Sequence, residues 1–488
     1  MKEIDTTNTH SRARKISSKE FVNSNVAAEC ADRLNATPYG GLSAAHVLVK
    51  RLGLDEEIDS RLDLLGLEIR YSESDHVLTH VYNLYLGGTN IEDISVLQAS
   101  PQVRAILGAQ RIPDPTTAGD FLRRFTEADI WRLHDAMDAA RVKVWKRLPK
   151  KMRKRATIDF DSKVKEVYGR CKEGADFSYN GKWSYHPHMV TLSETREILC
   201  AVNRPGNASP ASGAEDMAER VLKLAQQYFE EVIARADCAY YEAKFIRKCE
   251  ERRTRFTISA EGRPNLIKIA ASLPESAWKP YDIRDRQDAS GVKRRRKRRR
   301  WEEEIARKRR YRALKTVSEE VSEFRYTPTG LEKAYRMIVK RQKVKERDRQ
   351  LNIFEHYEYR FIITDIERWS AEEVLRFAYG RCGDQENAIE QLTNGLQALR
   401  MPTGELLSNW AFMVCGALAW NLKSWLALTV LPRQTLKWEW KRFRYLFVYL
   451  AASVVRTARQ VIARFSASSK QAAQMVTALR RLRSFAFC

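Results

Sequence analysis

Apolar residues recur every three to four positions from Ser43 onward, at Ala44, Val47, Leu48, Leu52 and Leu54, which predicts an amphipathic helix. A second helix is expected over 75–86, with Asp75 as its N-cap and Gly87-Gly88 as its stop. Short helices follow over 91–98 and 102–107. Pro113-Asp114-Pro115-Thr116-Thr117 then breaks the chain and caps a helix through Phe125, and one more runs over 128–147. There the period changes from helical to alternating. Positions 157–161, 185–192 and 198–203 read as strands, and Arg204-Pro205-Gly206-Asn207 as a turn. A helix (216–228), a strand (231–237), a helix (241–252) and a strand (255–259) follow.

Three strands, helix, strand, helix, strand is how an RNase H-like mixed sheet is built. Crossover helices bring the carboxyl-bearing ends of the first and fourth strands together. Regularity lapses over 261–350 and returns with a strand over 357–364. Ser370 and Glu373 form a capping box for a helix through Ala378, and Asp384 caps the next, whose buried stripe is Ile389, Leu392 and Leu396. The span 406–483 reads as helical and carries five tryptophans between Trp410 and Trp440. It either braces the core or forms a dimer contact. Its apolar run from Trp410 to Leu431 is interrupted by Asn421, Lys423 and Ser424, so a buried helix pair is expected there, not a membrane span.

The fold class expected is α/β, in six parts. These are a flexible arm (1–38), a helical DNA-binding domain (39–150), the first part of the RNase H-like core (151–260), an inserted basic subdomain ending in a strand (261–365), a core helix (366–402) and a helical C-terminal region (403–488). The helical domain suits a helix-turn-helix-like module with Arg123 and Arg124 as DNA contacts; it suits a plain packing domain equally well.

Charge narrows the partners. The 488 residues hold 86 Lys+Arg against 62 Asp+Glu, a net +24, which favours a polyanion: DNA, RNA or an anionic membrane. The densest run, Lys293-Arg294-Arg295-Arg296-Lys297-Arg298-Arg299-Arg300, is a candidate phosphate grip on DNA or a solvated loop, and one can be both. The eight cysteines form no Cys-x-x-Cys pair, so neither a zinc ribbon nor a disulfide framework is indicated. A reducing cytoplasm and no membrane partner are expected.

Candidate chemistry lies in localised acids. Asp159 and Asp161 share one face of the strand over 157–161. Asp237 ends the apolar strand over 231–237, and Glu386 stands in the first turn of a helix. Asp161, Asp237 and Glu386 are therefore the candidate catalytic and metal-holding set, with Asp159 as competitor or support, and with Glu390 and Asp365 in reserve. Phosphodiester cleavage needs an activated attacking oxygen and a stabilised leaving oxygen, and two magnesium ions held by carboxylates serve both. Manganese could replace magnesium. Arg381 could bind a phosphate, and Tyr379 and Cys382 could share a helical face with Glu386. A catalytic thiol at Cys238 or Cys382 is disfavoured, since no histidine lies near either in sequence.

These stretches resemble the Asp-Asp-Glu transposases of bacterial insertion sequences, in the branch with a large insertion before the Glu. Ile158-Asp159-Phe160-Asp161-Ser162 with Tyr168-Gly169 is similar to the first-Asp motif. Asn203-Arg204-Pro205-Gly206-Asn207 resembles the loop after the third strand, and Ala234-Arg235-Ala236-Asp237-Cys238-Ala239-Tyr240-Tyr241 the second-Asp motif. Tyr379-Gly380-Arg381-Cys382-Gly383-Asp384-Gln385-Glu386-Asn387 resembles the Glu-bearing signature. That signature runs Tyr-x2-Arg-x3-Glu-x6-Lys, and here Cys382 holds the Arg position and Thr393 the Lys position. The resemblance implies cleavage at transposon ends and strand transfer into target DNA, with magnesium. It also implies a homodimer on double-stranded inverted-repeat ends, in a bacterial cytoplasm at the nucleoid. A nuclease that cuts without joining, and a DNA-binding protein with a decayed site, are the alternatives.

Overall fold

Phe160 and Ala236 lie side by side in adjacent parallel strands, and that pairing organises the molecule. The structure is a computed structural model and describes residues 34–66, 70–281, 313–347, 353–458 and 460–485. Its main sheet contains β1 (Ala156–Ser162), β2 (His188–Leu192), β3 (Glu197–Val202), β4 (Val232–Ala236), β5 (Arg255–Ala260), β6 (Lys279–Pro280), β7 (Ala313–Tyr326), β8 (Tyr335–Arg347) and β9 (Ile353–Thr364). In space the order is β6-β7-β8-β9-β5-β4-β1-β2-β3. β1, β4 and β5 run parallel; β2 pairs antiparallel with β1, β3 antiparallel with β2, and β9 antiparallel with β5. The β3-β2-β1-β4-β5 portion is the mixed α/β, RNase H-like sheet expected from the sequence. Helices Ala214–Gln226 and Ala243–Glu251 make its crossovers and share a core with Phe160, Ala234 and Phe256.

Between β5 and helix Ala371–Glu390 lies the stretch read as an inserted basic subdomain ending in a strand. Its long strands β7, β8 and β9 extend the main sheet from the β5 edge. Their charges are paired across strands: buried Lys340 with Glu319 at 3.1 Å, and Arg341 with Glu320 at 2.6 Å. The basic run 293–300 lies outside the described residues.

One continuous helix spans Ala371–Glu390 where two were expected. Gly380 and Gly383 cost only about 1 kcal/mol each relative to Ala. At Gly380 a Cβ would stand 2.9 Å from Arg235 Nη1, so the glycine leaves room for that side chain. Leu406–Thr429 is likewise a single helix, not a pair. It is long and apolar enough to cross a membrane, yet 94 % of its most apolar window is buried inside the protein.

What that helix covers is the outer edge of the sheet. Asn421 accepts from the Ile198 amide and donates to its carbonyl, both at 2.9 Å. Trp410 donates to Ala201 O, Trp420 to Arg196 O, and Trp425 to Glu197. From the other side His134 Nε2 accepts from the Ala201 amide, and Trp145 and Arg141 bond Glu197. Side chains thus cap the edge of β3 at Arg196, Ile198 and Ala201. The apolar run braces the core, and the N-terminal helices pack into the same core. The last stretch is not helical throughout. Ala452–Arg456 and Val461–Phe465 pair with each other, and Ala36–Thr37 adds to the first of them. The alternating apolar positions Val454 and Ala452 favour strands there.

Candidate active site

Asp161 and Asp237 each follow the paired residues Phe160 and Ala236, so both carboxylates emerge at the carboxyl ends of neighbouring parallel strands. The Asp161 side chain is 14 % exposed; it accepts from Arg381 Nη1 at 3.0 Å and from the Ser162 amide at 2.8 Å. Burial raises its carboxyl to about 6; Arg381 pulls it down, and Asp237 pushes it up. Asp237 accepts from the Ala239 amide at 2.9 Å and so starts a short turn of 3-10 helix. Two acids and one arginine therefore meet at one sheet edge.

Asp159 takes a different part. It is fully buried and accepts from Arg235 Nε at 2.5 Å, Arg235 Nη2 at 2.9 Å and Ser193 Oγ at 2.5 Å. Its oxygens are saturated. Arg235 also donates to Phe377 O at 2.6 Å, which fastens helix Ala371–Glu390 to the sheet. That helix carries Glu386; the side chains of 382–387 lie outside the described residues. Tyr379 packs against Lys340, 5.1 Å from ring centre to ammonium, on the β7–β9 side. Asp365 accepts from Phe256 N and Arg255 at the opposite end of the sheet, so it does not join the pair. Among the described residues no three His, Cys, Asp or Glu side chains gather as a metal cluster.

Arg123 pairs with Asp120 at 2.6 Å and Glu405 at 3.5 Å, and Arg124 bonds Leu64 O at 3.1 Å; neither joins the carboxylates. A concavity of about 880 Å³ among Lys154, Arg155, Glu231, Arg255 and Arg368 lies at the far end of the strands and holds none of the candidate acids.

Sequence reasoning missed the groups behind the site. His186 Nε2 lies 3.1 Å from Ser162 Oγ, and His188 Nε2 lies 2.8 Å from the Tyr240 hydroxyl. The Tyr240 hydroxyl is pushed well up, by burial first and then by Asp161 and Asp237. No local signal marks them: Ser162 comes opposite His188 only once β1 pairs with β2. Burial raises the Cys238 thiol, the reverse of what an activated nucleophile needs.

The family model of the transposase DDE domain, group 1, matches residues 34–486. The chain belongs to that family. It is a DNA transposase, a DNA-cleaving and strand-transferring enzyme, and transposases of this family use divalent metal ions. Among solved structures, a piggyBac transposase synaptic complex with hairpin DNA resembles the transposase at 9% identity, over 84% of this chain and 80% of that one, with a TM-score of 0.35. No curated protein matches it. In the transposase, Thr393 stands at the signature's Lys position, and Lys163 reaches it from the end of β1, Nζ donating to Thr393 Oγ1 at 3.2 Å.

Proposed function

We propose that Asp161 and Asp237 hold the divalent metal, magnesium or in its place manganese, and that Glu386 supplies the third carboxylate. The observation that supports this is the side-by-side placement of Asp161 and Asp237. The donor set fits a hard cation: carboxylate oxygens at the site, no thiolate pair, and a like-charge neighbour that favours a counter-cation at Asp161. The metal, when bound, supplies an activated oxygen nucleophile and stabilises the leaving oxygen. Asp159 is not a ligand in this reading; it holds Arg235, which holds the Glu386 helix. Arg381 neutralises Asp161 and is placed to meet a phosphate. Lys163 supplies the cation that Thr393 lacks.

The substrates proposed are double-stranded inverted-repeat ends and a target duplex, handled by a homodimer at the nucleoid of a bacterial cytoplasm. The helical domain with Arg123 and Arg124 is proposed as an outlying contact to the same DNA. A strand-transfer assay with a pre-cleaved end tests the reading. Joining that requires magnesium and is lost in Asp237→Asn and Glu386→Gln supports it; joining that survives either substitution overturns it.

A further inference from the structure

The chain between Asp161 and β2 forms a small sheet of its own, Lys165–Glu166, Asp176–Phe177 and Trp183–Tyr185, with the last strand in the middle. Both ends of this flap are tied to the acid-bearing strand. The Lys163 amide donates to Pro187 O at 2.9 Å, and His186 meets Ser162. The Tyr179 ring centre lies 6.0 Å from the His186 ring, so the flap's tip stands close to Ser162, the residue after Asp161.

The flap is held rigidly from below. Lys172 donates to Met401 O and Thr403 O, the Glu173 amide to Gly404 O, and the Leu406 amide to Glu173. Tyr185 donates to Glu173 O. The turn at Asn203–Asn207 fits underneath: a Cβ at Gly206 would lie 2.1 Å from Ser184 O and 2.2 Å from Asp176 O. Asn207 donates to Asp176 at 2.6 Å. This gives the Asn-Arg-Pro-Gly-Asn motif a task, which is to seat the flap.

On that rigid base, large aromatic side chains stay in solvent. Tyr168 is 83 % exposed, Phe177 63 % and Tyr179 79 %. Phe177 is propped edge-on by Trp183 at 5.4 Å, and Trp183 is itself fixed by a bond to Gly169 O. Exposed apolar rings carried on one ordered support mark a binding surface. The charge around them suits a polyanion. Residues 163–185 hold five Lys or Arg against three Asp or Glu. Each of those acids is held by a neighbour: Glu166 by Lys182, Glu173 by Leu406 N and Asp176 by Asn207.

We propose that Tyr168, Phe177 and Tyr179 form a stacking platform for nucleobases that have left the duplex next to the cleavage point. Phosphates and paired bases have no use for ring faces, whereas an unstacked base of any type does. The lysines would carry the backbone of the same strand. The inference rests on reading Asp161 and Asp237 as the cleavage site, but its test is a binding measurement that needs no cleavage.

The test uses the full-length protein without metal and two synthetic DNAs, a duplex and the same duplex with a short unpaired tract containing 2-aminopurine. The wild-type protein should prefer the unpaired tract and quench its fluorescence. Tyr179→Ala, Phe177→Ala and Tyr168→Ala should each lose about tenfold of that preference, duplex affinity staying unchanged. Tyr179→Trp should retain the quenching. Equal losses on both DNAs would overturn the proposal in favour of a backbone surface. No loss on either, with a changed mass by light scattering in the triple variant, would overturn it in favour of a second copy of this chain. If the platform variants behave as stated but Asp161→Asn still cleaves, the site reading fails and the stacking surface remains.

Discussion

Asp159 and Asp161 are the same residue type on the same face of one strand, two positions apart, yet the fold gives them opposite work. The interior of β1 is dry. There Asp159 is fully buried, and a forked arginine and a serine take both its oxygens. At the end of β1, Asp161 accepts from Arg381 and from the Ser162 amide and stands beside a second carboxylate. A buried acid locked to an arginine holds structure together; an acid at a strand end beside a second carboxylate favours a counter-cation. Sequence period brings the pair to one face, and depth along the strand separates their roles.

The sharpest way to break this comparison is to neutralise each acid in turn. Asp161→Asn should lower end cleavage on the order of 10³-fold or more while the protein stays folded. Its thermal midpoint should hold or rise, because the substitution removes a carboxylate that burial disfavours. Asp159→Asn should do the reverse at the level of stability. It strands Arg235 as a buried, unpaired cation, which costs about 3–5 kcal/mol. Urea melts of the two variants check the contrast; equal stability losses would end it.

A gentler substitution probes the link between the two regions. Arg235→Lys keeps the charge but loses the fork that spans Asp159, Ser193 and Phe377 O. Helix Ala371–Glu390 should then sit less firmly on the sheet. Apparent magnesium affinity should weaken by about 10–100-fold, the usual cost of removing a support behind a ligand. A magnesium titration of cleavage reads this separately from the melt.

The end of β1 should also show itself in pH. The Asp161 carboxyl lies at about 6, above its ordinary value, so it takes up a proton as pH falls through 6 and can no longer hold a cation. Magnesium affinity should therefore drop below about pH 6, by about tenfold per unit. Arg381 draws that carboxyl down. Arg381→Gln should move the loss to higher pH, and a shift to lower pH would contradict the assigned pairing.

How much of this was legible follows from sequence distance. The strands that end in Asp161 and Asp237 announce themselves by apolar runs closed by an acid, and their crossover helices by three-to-four spacing. Arg235 does not announce itself, since its partners lie 76 and 142 residues away. His186 and His188 become neighbours of Ser162 only through a strand pairing. Of the extension, β9 was legible over 357–364, while β7 and β8 were hidden by their charges. Glu319, Arg336, Lys340 and Arg341 look solvated in the sequence and are at least nine-tenths buried as cross-strand pairs in the fold. The Leu406–Thr429 helix looked interrupted because the partners of Asn421 and Ser424 are backbone groups around Arg196–Ile198, more than 220 residues earlier.

The smallest effect concerns the cation at the end of β1. Lys163 leaves β1 just beyond Asp161 and reaches Thr393, where the related signature carries a lysine. If that ammonium meets a phosphate, Lys163→Ala should weaken DNA binding and reduce the slope of log affinity against log salt by about 0.9, one contact's worth. Stability should not change, since nothing in the interior of β1 depends on it. The double variant Lys163→Ala, Thr393→Lys returns a cation to the same place from the helix side and should restore the slope. A slope unaffected by the single variant, or left unrestored by the double one, would separate Lys163 from the DNA and leave Arg381 as the phosphate contact at this edge of the sheet.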